Sequence, residues 1–160
     1  MNTPLHPDIA ALAPLLGTWT GNGAGSYPTI EPFEYTETVT FGHVGKPFLS
    51  YVQRTADPTT GAPMHTESGY LRCAGPGHLE LVLAHPTGMA EVAEGTTHET
   101  TDGTALLLRS CTMAATATAK PVRAVERDID VAGDRLHYVL RMSAMGLPMT
   151  HHLEATLTRA

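Results

Sequence analysis

Two imidazoles stand side by side near the end of the chain, His151 and His152 in "THHLEATL". Neighbours in a β-strand point to opposite faces, so only one of the two can look inward in a regular strand. Alternation groups His151 with Leu153, Ala155 and Leu157, and His152 with Glu154, Thr156 and Thr158. The chain holds nine histidines. His6, His43, His78 and His98 fall at expected ends and turns, and His137 has outward parity beside Leu136 and Tyr138. His65 opens a strand next to Met64, where a ligand would reach a barrel rim. His85 shares the parity of Leu79, Leu81 and Leu83 and is expected inside, where the plainest role is a core histidine bonded to backbone.

Tetrahedral zinc asks for three or four ligands. Two adjacent histidines point apart in a regular strand and cannot both serve one zinc ion without a bulge, which counts against zinc. A haem iron asks for one axial histidine and a large apolar cleft, which this chain can supply. No GxSxG elbow is present, and no serine triad can be argued. "GNGAG" at Gly21 to Gly25 lacks the lysine of a phosphate loop and leads into no helix. Glycines there mark bends, or close approach by another backbone or a flat ligand.

The elements that must position these residues are almost all strands. Pro7 to Leu16 suits one short helix, with Ile9, Leu12 and Leu16 on one face and Pro14 limiting its regularity. After Gly17 the period becomes two. "FEYTETVTF" sets Phe33, Tyr35, Glu37, Val39 and Phe41 against Glu34, Thr36, Thr38 and Thr40. The turns "AGPG", Asp102-Gly103 and "AGD" separate further alternating runs, the last being Thr150 to Arg159. About ten strands result, with turn signals at sandwich or barrel spacing. No helix is long enough for a parallel crossover, so an antiparallel meander is expected. A sheet of that many strands must curl or close, and a closed barrel of more than eight leaves a cavity. The expected fold is therefore all-β: a closed antiparallel ten-stranded up-and-down barrel with a short N-terminal helix, one domain over 1–160.

Composition narrows the classes. The 160 residues are 42% hydrophobic and 16% charged, which is globular. A formal net charge of -6 argues against a nucleic-acid partner. No apolar run approaches a membrane span. The N-terminus lacks a basic region and its apolar stretch is broken by Pro14, so no signal peptide is expected and the cytoplasm is the expected compartment. Cys73 and Cys111 read as two reduced thiols in strands.

Several stretches, in order from about Leu15 to the end, resemble the nitrobindin family. "LLGTWTGNGAGSYPTI" carries its GxWxGxG signature at Gly17, Trp19, Gly21 and Gly23. "GAPMHTESGYLR", "AHPTGMAEVAEG", "RLHYVLRMS" and "HHLEATL" match further strands. GxW alone is shared with lipocalins and fatty-acid-binding proteins; four ordered matches are far more specific. The resemblance implies a ten-stranded barrel that holds one haem b, isomerises peroxynitrite to nitrate and binds nitric oxide reversibly. It implies His152, directly before the leucine, as the axial ligand of ferric iron and the catalytic residue. It implies Met64, His65 and Met142 around the haem, with Thr29 of "YPTI" at its edge. A lysine near the pocket in some relatives aligns closest to Pro121, a departure from the family, and Lys120 beside it is the residue left to meet a haem propionate. His85 stands where a glutamine-like residue is expected, as a distal ligand or hydrogen-bond donor. A carrier of an apolar small molecule, or a nitric-oxide sensor without catalysis, would use the same cavity. A homodimer stays open as an assembly.

Overall fold

Period-two alternation becomes a barrel in the computed structural model, which describes residues 3–160. Met1 and Asn2, the start of the expected 1–160 domain, lie outside the described residues. A 3₁₀ helix at Pro7–Leu15 leads into β1 (Gly17–Tyr27), β2 (Ile30–Gly42), β3 (Phe48–Ala56), β4 (Pro63–Cys73) and β5 (His78–His85). The chain continues through β6 (Met89–Glu99), β7 (Thr104–Ala115), β8 (Val122–Ala132), β9 (Arg135–Ala144) and β10 (Thr150–Arg159). Each strand pairs with the next, and β1 pairs antiparallel with β10, so the sheet closes without an edge. This is the expected architecture. No helix among the described residues is long and apolar enough to cross a membrane.

The helix differs in kind from the sequence reading. It is 3₁₀, with three residues per turn and a kink at Ile9 (φ -112°, ψ 17°), and Ile9, Leu12 and Leu15 are its buried residues. Leu16, placed there by α-helical spacing, becomes the C-cap instead. His6 caps the start, its Nδ1 accepting from the Asp8 amide at 3.2 Å.

This helix plugs one end of the barrel. Ile9, Leu12, Leu15 and Trp19 are fully buried there beside Leu49, Leu79, Leu106 and Leu157. The Trp19 Nε1 donates to the Leu15 carbonyl at 2.7 Å, tying plug to wall. The glycine strip of β1 has a definite purpose. Gly23 and Gly25 lie opposite Tyr35 and Phe33 on β2, and a Cβ at either glycine would overlap the facing ring. The close approach is thus made by aromatic side chains, while at Gly21 it is made by the backbone of β10. Both cysteines are free, Cys73 in β4 and Cys111 in β7, as the sequence suggests.

Candidate functional site

The end opposite the plug opens into a cavity of about 740 Å³. Its outer band is apolar, built by Phe33, Met64, Met89, Met113, Met142 and Leu153. These come from the open-end termini of six strands. Methionine suits such a wall because its unbranched thioether adapts to irregular surfaces.

His152 reaches this cavity through a local defect in β10. On the β9 side, His151 pairs with Arg141 and Leu153 with Leu140, leaving His152 as the extra residue of a bulge. A bulge re-aims one side chain without disturbing the strand beyond it. His152 and Leu153 therefore both line the cavity, while His151 is exposed on an outer groove with Glu154 and Ser26. Alternation alone assigned His151 to the interior; the bulge reverses that assignment.

The His152 ring is held on three sides. Its Nδ1 lies 3.1 Å from the Ser26 carbonyl. A carbonyl only accepts, so Nδ1 carries the hydrogen and Nε2 keeps its lone pair. Tyr27 and Phe33 pack edge-on against the ring at centroid distances of 5.6 and 6.3 Å. The Tyr27 hydroxyl is itself fixed, donating to the Ala144 carbonyl at 3.1 Å. Burial pushes the His152 imidazole below its ordinary value, which favours the neutral, ligating form.

Deeper in the barrel the wall turns polar. Arg127 is buried between two carboxylates: it donates through Nη2 to Glu67 at 3.2 Å and through Nη1 to Glu91. Burial alone would lower the guanidinium's proton affinity, but Glu67 and Glu91 hold it above its ordinary value. The Tyr51 hydroxyl donates to Glu67 at 2.7 Å. His85 stands between the acids, 3.2 Å from Glu91 and 3.4 Å from Glu67. Burial acts to raise the Glu91 carboxyl, yet His85 and Arg127 hold it below the ordinary range. His65 stacks at 5.8 Å from His85, and burial lowers its proton affinity despite Glu67 nearby.

A second polar group sits on the neighbouring strands. Glu37 accepts from Tyr138 at 2.8 Å and from Gln53 at 3.1 Å. Tyr138 and Tyr35 share a further 2.8 Å bond. Burial pushes the Glu37 carboxyl up to about 7, more than those hydrogen bonds offset.

The structure brings together six of the seven sequence-derived candidates. Met64, His65, His85, Lys120, Met142 and His152 all line the cavity, with Lys120 exposed in the segment between β7 and β8. Thr29 is exposed in the β1–β2 turn, and its neighbour Ile30 lines the cavity in its place. His137 points outward and meets Glu154 at 2.9 Å, as its parity implies. Glu37, Glu67, Glu91 and Arg127 were not singled out by sequence. Their signal was a charged residue on apolar parity, such as Glu37 between Tyr35 and Val39.

A closed up-and-down barrel with a plugged end, an apolar mouth and one neutral imidazole offering a free lone pair defines a class: barrels suited to a flat, apolar, metal-bearing ligand. The comparisons agree with that class. Residues 8–159 match the model of the THAP4-like, heme-binding beta-barrel domain, and the chain belongs to that family, the nitrobindin family that its motifs resemble. It is 54% identical over 159 residues to "Peroxynitrite isomerase 2" of Mycobacterium marinum, with 99% of each chain covered. It is 54% identical over 155 residues to "Peroxynitrite isomerase" of Nocardia farcinica, covering 97% of this chain and 92% of that one. The crystal structure of Rv2717c from M. tuberculosis superposes with a TM-score of 0.96 at 49% identity, over 98% of this chain and 99% of that chain.

Proposed function

We propose that this chain is a haem-dependent peroxynitrite isomerase that also binds nitric oxide reversibly. The observation that carries the reading is His152: half-buried, neutral, hydrogen-bonded through Nδ1 to Ser26, and lining an apolar cavity with Nε2 free. The residues fit a haem group. The donor is the kind iron prefers, its second nitrogen is fixed as ligating histidines require, and the volume lies within the range of small-molecule sites. When bound, ferric haem supplies a Lewis acid able to polarise the O–O bond of peroxynitrite and convert it to nitrate. A b-type group fits because neither cysteine belongs to a CxxCH attachment motif.

The chain's own contributions follow from the cavity. Ser26, Tyr27 and Phe33 set the plane and tautomer of His152. The methionines and Phe33 exclude water and leave that band with few donors for a bound diatomic. His65 offers a ring nitrogen deeper in the same space, where a small anion can be oriented. Lys120 offers a cation at the mouth, suited to a haem carboxylate. The two free thiols support a cytoplasmic setting, and the barrel acts as one domain.

The test pairs the two adjacent imidazoles. His152→Ala is expected to abolish the Soret band after hemin addition and to return peroxynitrite decay to the uncatalysed rate. His151→Ala is expected to preserve both. A retained Soret band and unchanged decay in His152→Ala would overturn the assignment; a colourless wild-type chain that takes up fatty acids would favour the carrier.

A further inference from the structure

The cavity also contains a cluster that haem ligation does not use. His65 and Glu67 are two residues apart on β4 and share its inward face. His85 ends β5, the antiparallel neighbour of β4. One donor atom from each of these three residues lies within 4.8 Å of the other two. Glu67 Oε2 is the common vertex, 3.9 Å from His65 Nε2 and 3.4 Å from His85 Nδ1.

The orientation of His85 makes this more than proximity. Its Nε2 lies 3.2 Å from Glu91 Oε2, an acceptor, so the ring hydrogen sits on Nε2. In the neutral ring Nδ1 then carries the lone pair, 3.4 Å from a second carboxylate oxygen. A positive centre, either a proton on Nδ1 or a metal ion, is what holds two such electron-rich atoms at that distance. A carboxylate behind an imidazole is also the arrangement that fixes and strengthens metal-ligating histidines.

A second observation points the same way. Gln53 is only 4% exposed and lies directly opposite Glu67 in the β3–β4 register. Its Oε1 has no hydrogen-bond partner among the described residues. A buried orphan acceptor is costly, and the other end of this amide already donates to Glu37 at 3.1 Å. Glu37, Glu67 and Glu91 surround this region, and Arg127 is the buried cation set among them.

We propose that His65, Glu67 and His85 form a binding site for a divalent first-row transition-metal cation, distinct from the haem-binding residue His152. Two imidazoles and one carboxylate are the donor set of catalytic zinc and non-haem ferrous sites, which keep a further coordination position open. Tyr51 and Arg127 already bond Glu67, but a carboxylate has about four lone-pair sites and retains capacity for a metal. The open position would face the cavity and provide a second electropositive centre for a small anion. The proposal does not depend on the haem reading.

Calorimetric titration of zinc chloride into the full chain after hemin addition tests it. The Soret band reports haem binding, while the heat reports the proposed site, so the two readings can fail separately. One zinc per chain is expected. Its affinity should fall at least tenfold in His65→Gln and in His85→Gln, both of which keep the Arg127 ion pairs. No zinc binding, or binding equally tight in both variants, overturns the proposal. If a variant does not fold, anomalous diffraction at the zinc edge from soaked wild-type crystals decides. A peak between the three side chains supports the site, and peaks only elsewhere overturn it.

Discussion

One unpaired residue in β10 decides which imidazole can meet a ligand. Sequence parity places His151 inside, and the bulge at His152 exchanges the two without shifting Leu153, Ala155 or Leu157 from the core face. At the same scale, Glu37 makes a pH-dependent contribution to stability. Burial raises its carboxyl from 4.5 to about 7, so between those values the folded chain binds more protons than the unfolded chain. Stability attributable to Glu37 is full below about pH 4.5, declines as pH rises, and is lost once the pH passes about 7. Glu37→Gln keeps the shape and removes the titration. Relative to wild type, it is expected to gain stability at pH 8 over pH 5, by up to about 3 kcal/mol. Urea denaturation of both proteins at the two pH values checks this, and parallel pH dependences would refute it.

The strands carry most of what was legible in the sequence. Ten alternating runs with turn signals imply closure because so many antiparallel strands need a partner for each edge. Gly23 shows how an element's composition then shapes the site. Its missing side chain leaves room for the Tyr35 ring, whose hydroxyl bonds Tyr138 on the cavity wall. Gly23→Ala is expected to displace that ring, cost about 1–3 kcal/mol by overpacking, and weaken hemin uptake. Denaturation midpoints and hemin titration would measure both, and a variant unchanged in each would show that the ring moves freely. What sequence did not yield has a common physical origin. The bulge at His152 depends on how β10 registers with β9, which local alternation does not encode. The Arg127–Glu67–Glu91 network joins β8, β4 and β6, so its partners emerge only when the barrel closes. Glu37 and Arg127 did stand on apolar parity, but that marks a buried charge without naming what neutralises it. The helix was legible as a helix, and its tighter 3₁₀ winding exchanged Leu16 for Leu15.

Across the whole molecule, the barrel separates what holds it together from what binds. The plugged end is apolar and dry, with Ile9 and Leu12 fully excluded from solvent. The helix and the start of β1 meet the end of β10 there. Arg159 of β10 lies 4.1 Å above the Trp19 ring and donates to the Pro14 carbonyl at 3.0 Å, while the Ala160 amide bonds Thr18 at 2.8 Å. Sheet closure and docking of the plug therefore share residues at this end, so damage to the plug lowers the stability of the whole barrel. The cavity lies at the other end, lined by residues that do not include Ile9, Leu12 or Leu15. Leu12→Ala removes a fully buried side chain and is expected to cost about 2–5 kcal/mol. Urea unfolding followed by fluorescence of Trp19, the chain's single tryptophan, should show a lower midpoint with an unchanged slope. Under conditions where the variant remains folded, its hemin titration should match wild type. A variant with weakened hemin binding and an unaltered midpoint would show instead that the plug shapes the cavity, and that the two ends are mechanically coupled through the strands.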